Sequence, residues 1–224
     1  MNLLILHNRY QQAGGEDTVV EAEAALLRGH GHRVNVEVAE NAAIPPGGGR
    51  VFGKIRLAAQ AIWNRREAAR IARLVGSEPW DIVHVHNTLP LLSPAVFRAA
   101  RNAGAATVHT LHNYRLVCPG AVLFRNGVVC EQCVGHFPWA GLRYRCYQGN
   151  LGATATVAAI TATHRLFGTY RNHIDRFIAL TEFSRGVLLK AGLPPAKVVV
   201  KANFLAEAPS LPTGHNGYAF FAGR

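Results

Sequence analysis

MNLLILHNRYQQAGGEDTVVEAEAALLRGHGHRVNVEV, residues 1–38, reads as strand, turn, helix and strand in succession. Leu3-Leu4-Ile5-Leu6 is a continuous apolar run of strand length, followed by polar His7-Asn8-Arg9-Tyr10 and the pair Gly14-Gly15. Val19, Val20, Glu23, Leu26 and Leu27 recur at helical spacing, and Gly29 and Gly31 end that pattern. Val34, Val36 and Val38 then alternate as a strand does. A strand that returns through a helix is a βαβ unit, and repetition of that unit builds a parallel sheet covered on both faces.

The rest of the chain repeats the theme. Asp81–His86 reads as a third strand, and Ser93-Pro94 opens a helix, as N-cap and first helical residue, that ends near Gly104. Ala106–Leu111 is a fourth strand, and a helix rich in small residues runs from Leu151 to about Gly168. Asp175–Leu180 is a fifth strand, Thr181–Ala191 a helix closed by Gly192, and Val198–Val200 a sixth strand. Between the second and third strands lie an irregular loop at Pro45–Gly49 and one long amphipathic helix, Val51–Val75. That helix carries Lys54, Arg56, Arg65, Arg66, Arg70 and Arg73 on its polar side. It suits a membrane surface and a sheet-packed helix with solvated arginines equally well. The predicted fold class is α/β, a Rossmann-like parallel sheet with helices on both faces over residues 1–205. A four-cysteine loop is inserted at 118–146. Residues 206–217, with Pro209, Pro212, Gly214 and Gly217, read as a linker, and 218–224 as the first strand of a further domain.

Hydrophobic residues make up 49% of the chain and charged ones 17%, which suits a buried core and excludes a disordered chain. Met1–Leu6 lacks the basic start and long apolar run of a signal peptide, and nothing approaches the roughly 18 uninterrupted apolar residues of a membrane span. A cytoplasmic location is expected, with attachment to the inner face of the membrane as an option. The net charge is +11, and only four of the 24 basic residues are lysine, so polyanionic partners are expected. No zinc-finger or RRM-type reader accompanies that charge, which leaves an anionic membrane surface or phosphate ligands rather than nucleic acid.

In open parallel sheets ligands gather at the carboxyl ends of the strands. The polar residues collect there: Gly14-Gly15-Glu16 after the first strand, His84, His86 and Asn87 at the third, His109, His112, Asn113 and Tyr114 at the fourth, Lys201 and Asn203 after the sixth. Gly14-Gly15 at a helix N-terminus lets backbone approach a phosphate, and glycine turns are also common without one. His84 and His86 share a strand face. No carboxylate lies near either histidine pair in sequence, so a neutral histidine bonding a sugar hydroxyl or a phosphate fits better than a metal site. There are three aspartates, no Asp-x-Asp and no P-loop, so a magnesium–nucleotide site has little support.

Four segments taken in order resemble the amino-terminal half of glycosyltransferase family 4. They are HNRYQQAGGEDTVVEAEAALLRGHGHRV, PWDIVHVHNTLPLLSPAVFRAARNAGAATVHTLHNYRLVCPG, IDRFIALTEFSRGVLLKAGLPPAKVVVKANF and the final FAGR. The resemblance implies a retaining enzyme of the GT-B fold, in which two Rossmann-like domains face each other across a cleft. It implies a nucleotide-sugar donor, a glycan or lipid-linked acceptor, and no cofactor for catalysis. Gly14 and Gly15 match the glycine loop at the donor diphosphate, and Arg224 the arginine that reaches it from the second domain. His112 matches the histidine facing the donor sugar. His86 and Asn87 match the acceptor-side edge, with Asn113 and Tyr114 beside it, and Ser184 and Asn203 match cleft-side positions. The family's donor domain has no counterpart in these residues, so the chain is expected to be inactive alone. The competing expectation is a non-catalytic, zinc-stapled domain that binds polyanions.

All four cysteines, Cys118, Cys130, Cys133 and Cys146, fall in one stretch with the spacing C-x11-C-x2-C-x12-C. A structural zinc with four thiolates suits that spacing best, while reduced thiols and a disulfide stay open. A clip there is expected to hold Arg143, Tyr144 and Arg145 beside His112 and Asn113.

Overall fold

The computed structural model describes residues 1–9, 14–40 and 51–205. The expected loop at 45–49, the linker at 206–217, the strand at 218–224 and Arg224 lie outside the described residues.

Six parallel strands form one sheet: β1 (Asn2–Arg9), β2 (Arg33–Glu40), β3 (Ile82–Val85), β4 (Ala106–Leu111), β7 (Arg176–Ala179) and β8 (Val198–Val200), in the order β2-β1-β3-β4-β7-β8. A separate two-stranded ribbon, β5 (Phe124–Arg125) with β6 (Val128–Val129), lies in the cysteine stretch. The helices are α1 (Gly15–Gly29), α2 (Val51–Ile62), α3 (Arg65–Ser77), α4 (Ala95–Asn102), α5 (Trp139–Arg143), α6 (Leu151–Leu166), α7 (Thr169–Asn172) and α8 (Glu182–Lys190). The α/β reading with helices on both faces therefore holds.

Strand alternation divides the sheet into two faces. Leu4 and Leu6 of β1, Val83 and Val85 of β3, and Phe177 and Ala179 of β7 enter the main core with Ile71 and Val75 of α3, Val96 and Phe97 of α4, and Leu188 of α8. Ile5 points the other way, against Val20 and Ala24 of α1. In register with Ile5 stands His84 on β3, so the α1 face changes from apolar to polar within one row. The strand order reverses direction between β1 and β3, the switch point where ligands enter such sheets.

The single long helix expected over 51–75 is two. Asn64 interrupts it, because its side chain accepts the Glu67 amide at 3.2 Å and caps α3. The same side chain donates to the Leu91 carbonyl at 2.6 Å, and its own amide donates to Ser93 Oγ at 2.9 Å. Ile71 and Val75 bury the apolar stripe of α3, while Arg70 pairs with Glu37 and Glu67, each at 2.8 Å. Thus α3 is the sheet-packed alternative. α2 leaves Phe52 and Ile55 exposed.

Candidate functional site

The carboxyl ends of β1, β3 and β4 bring together the histidines His7, His84, His86 and His112. The carboxylate that sequence separation hid from them is Glu23, 6% exposed on α1. Its Oε1 lies 3.2 Å from His84 Nδ1, and its Oε2 lies 4.0 Å from His86 Nε2 and 3.2 Å from Lys201 Nζ. His84 Nε2 meets Thr110 Oγ1 at 2.8 Å, and His86 Nδ1 meets His112 Nε2 at 2.9 Å. Burial would push the Glu23 carboxyl up, but the bond to His84 and the charge of Lys201 outweigh it and hold the group ionised.

An ionised Glu23 assigns the tautomers in order. His84 carries its proton on Nδ1, facing Glu23, so its Nε2 accepts the Thr110 hydroxyl. The carboxylate also favours a proton on the buried His86 Nε2, which has no hydrogen-bond partner of its own among the described residues. His86 Nδ1 is then an acceptor, and His112 Nε2–H donates to it. His112 is left with Nδ1 as a bare acceptor nitrogen. Burial, then the nearby His7, pushes His112 down to about 4, and burial places His86 well below the usual imidazole value. Both rings are therefore neutral near pH 7.

Around this relay the predicted residues take different stations. His86, Asn87, His112 and Asn113 all line one cavity of about 60 Å³ at the ends of β3 and β4, closed from above by Val157, Ile160 and Thr161 of α6. That is well below the roughly 300 Å³ of an enclosed ligand pocket. Asn87 has its amide committed, donating to the Asn8 carbonyl at 2.8 Å and accepting the Leu89 amide at 3.1 Å. Asn113 donates to Glu16 Oε1 at 3.1 Å. Burial raises the Glu16 carboxyl. Tyr114 OH and Ser184 Oγ lie 3.0 Å apart, joining the end of β4 to the first turn of α8. Asn203 is exposed beyond β8 and does not line the cavity. His109 also lines this cavity from within the core, between Phe97 and Phe177 at 4.9 and 6.2 Å between ring centroids, and burial takes it down to about 3. It is a core histidine.

Gly14 and Gly15 open α1 as expected, and a Cβ on either would meet nothing within 4 Å. Among the described residues nothing stands over the turn, and its amides are partly used. Gly14 N–H donates to Asp17 Oδ2 at 2.8 Å, and Asp17 Oδ1 receives His7 Nε2 at 2.8 Å and Arg9 Nε at 3.3 Å. Burial raises Asp17, but these bonds from Gly14 and His7 win and its carboxyl lies below the usual range. An anion at this terminus would use amides other than that of Gly14.

Glu23, His84 and His86 offer three ligand atoms within 4.8 Å of one another. The Lys201 ammonium already supplies the cation there, and both ring nitrogens of His84 are engaged, so the set fits a charge relay better than a metal ion. Glu23 and His7 are the residues that sequence reasoning missed, and Lys201, expected at this edge, meets the carboxylate of Glu23. A signal for Glu23 was present, since it sits at i+3 from Val20 on the apolar stripe of α1.

The cysteine stretch forms a second cavity of about 160 Å³ lined by all four cysteines, with none in a disulfide. Burial, joined by the other three cysteines, raises the Cys133 thiol. Tyr144 belongs to this cavity, with Arg125 stacked 3.5 Å over its ring, and not to the His112 edge. The expected neighbour of that edge is instead Tyr147, whose ring lies 4.7 Å below the Arg115 guanidinium.

The chain matches the family described as "Glycosyl transferase 4-like domain" over residues 14–203. No curated protein matches it. Among solved structures it is similar to Anabaena Alr3699/HepE in complex with UDP, at 16% identity and a TM-score of 0.45, over 92% of this chain and 44% of that one. The same protein in complex with UDP and glucose gives 15% and 0.46, and in complex with UDP-glucose 14% and 0.45. This chain spans less than half the length of those chains. With residues 14–203 matched and a parallel sheet whose polar edge sits at the switch point, the chain belongs to the glycosyl transferase 4-like domain family.

Proposed function

We propose that this chain is the acceptor-side half of a retaining glycosyltransferase, which moves a hexose from a nucleotide-sugar donor to a glycan or lipid-linked acceptor. The observation that carries the reading is the His86–His112 hydrogen bond at the ends of β3 and β4, with the Glu23 carboxylate 4.0 Å from His86, in a chain of this family. A neutral His112 with a bare Nδ1 accepts a hydrogen bond from a sugar hydroxyl at pH 7 and adds no charge beside it. The open N-terminus of α1 at Gly15 is the approach for the donor diphosphate, with Arg224 as its expected cation. The donor half lies in a domain that this half needs for turnover.

An anionic membrane surface is part of the proposal. No helix among the described residues is long and apolar enough to cross a membrane. α2 instead presents Phe52, 84% exposed, and Ile55, 60% exposed, interleaved with Lys54 and Arg56. Apolar tips among cations suit shallow insertion beside acidic headgroups. Co-sedimentation with vesicles containing phosphatidylglycerol should fall severalfold in Phe52→Ser/Ile55→Ser, and equal binding to neutral vesicles would contradict docking. The transfer reading is tested with the product of the complete reading frame, offered a panel of nucleotide-sugars and cell membranes. Label should enter a glycan or lipid fraction; no incorporation from any donor would refute it.

A further inference from the structure

We propose that Cys118, Cys130, Cys133 and Cys146 hold one zinc ion in an all-thiolate site that fixes the 118–146 segment against the sheet. The four residues come from three separate turns and face the same cavity of about 160 Å³. In the first turn the Cys118 carbonyl accepts the Ala121 amide at 2.9 Å. In the second, the Val134 amide closes on Glu131 at 3.0 Å, which sets Cys130 and Cys133 on a common side. In the third, the Cys146 amide donates to the Gly141 carbonyl at 3.1 Å where α5 ends.

Two glycines let the turns converge. A Cβ on Gly141 would stand 2.8 Å from Pro119 Cγ, and one on Gly120 would stand 3.2 Å from the Cys146 carbonyl and 3.8 Å from Cys118 Sγ. The surroundings suit bound thiolates: the Gly141 backbone and the Arg125 side chain line the same cavity. Such donors balance the negative charge that four thiolates leave on a dication.

The segment also needs a clamp. Its regular structure amounts to the two-residue strands β5 and β6 and the five-residue α5, while Val122, Phe124, Val128 and Val129 stay exposed. Five of the six non-glycine residues with positive φ among the described residues lie between 121 and 148. Left-handed backbone at Ala121 and Leu123 is unfavourable and persists only where something holds it. No three of the sulfurs lie within 4.8 Å of one another, whereas zinc–sulfur bonds of about 2.3 Å place sulfurs roughly 3.8 Å apart. Metal binding therefore draws the turns together by at least about an ångström.

With four protein ligands the ion has no open position and takes no part in chemistry. Its effect reaches the His112 edge through the ends of the segment. Tyr114 N–H donates to the Ala121 carbonyl at 3.0 Å, and Tyr147, next to Cys146, supports Arg115. The inference is independent of the transferase reading.

The test is elemental analysis and X-ray absorption on the full chain, purified under reducing conditions without chelator. About one zinc per chain with a shell of four sulfurs near 2.3 Å is expected, with the thiols unreactive to Ellman's reagent until a chelator is added. Chelation should expose 118–146 to protease while the circular dichroism of the sheet persists. Less than about half an equivalent of metal with four freely titrating thiols would overturn the site. So would a mass showing disulfides, or protease resistance unchanged by metal removal.

Discussion

Acidification below pH 6.5 should destabilise this chain through its buried histidines. Besides His86, three histidines are buried in neutral form: His109 is held down to about 3, and His112 and His164 to about 4, in each case chiefly by burial. His164 shows the geometry most clearly. Its Nε2–H donates to the Ile62 carbonyl at 2.8 Å, its Nδ1 accepts from Thr169 Oγ1 at 2.9 Å, and its ring stacks on Trp63. A second proton on Nδ1 would force the Thr169 hydroxyl to turn from donor to acceptor. In the unfolded chain each imidazole protonates near 6.5, so between pH 6.5 and about 4 the unfolded state binds more protons and folding weakens as pH falls. At pH 5.5 each group costs about 1.4 kcal/mol relative to neutral pH, about 4 kcal/mol for the three. That is a large share of the 5–15 kcal/mol typical of a folded chain. Glu16, whose carboxyl is raised by burial, acts in the opposite sense below its folded pKa and offsets part of the loss. Depressed Asp17 and Glu23 contribute stability that disappears only at lower pH. Urea unfolding followed by circular dichroism at pH 7.5, 6.5 and 5.5 measures the slope. His112→Gln should recover roughly 1.4 kcal/mol of the loss. A free energy flat between pH 7.5 and 5.5 would refute the neutral-histidine account.

Glu23→Gln removes the charge that orders His84, His86 and Lys201. It should cost about 2 kcal/mol, or roughly 4–8 °C in Tm, in a chain of this size. Lys201→Met should cost less, because its side chain is 38% exposed and solvent screens it; equal losses would argue against Glu23 as the hub. Asn64→Ala should cost about 1–2 kcal/mol and speed hydrogen exchange at the Glu67 amide, which the Asn64 side chain accepts. Unchanged exchange there would show that the break between α2 and α3 has another cause.

What was legible in the sequence and what was not follows the range of each interaction. Strand and helix identities rest on spacing within a dozen residues, so Leu3–Leu6, Val34–Val38 and Val198–Val200 read correctly. The break at Asn64 was legible in principle, as Asn64 stands three residues before Glu67 in the manner of a helix cap, but an unbroken apolar period masked it. His86, Asn87 and His112 were found because strand ends are where a parallel sheet exposes its polar groups. Their partner Glu23 required the strand order, since only the reversal between β1 and β3 lays α1 over the histidines. Lys201 lies 178 residues from the carboxylate it meets. No local pattern encodes that pairing. The expected tyrosine, Tyr144, lines the cysteine cavity, and Tyr147, which follows a left-handed turn at Arg145 with φ of 49°, meets Arg115 instead.

The most direct measurement is the rate of sugar transfer by the product of the complete reading frame, wild type against His112→Ala, with stability and donor binding monitored in parallel. The account predicts a folded variant with kcat reduced about 100-fold or more and donor affinity changed far less. Transfer at the wild-type rate with His112 absent would contradict it.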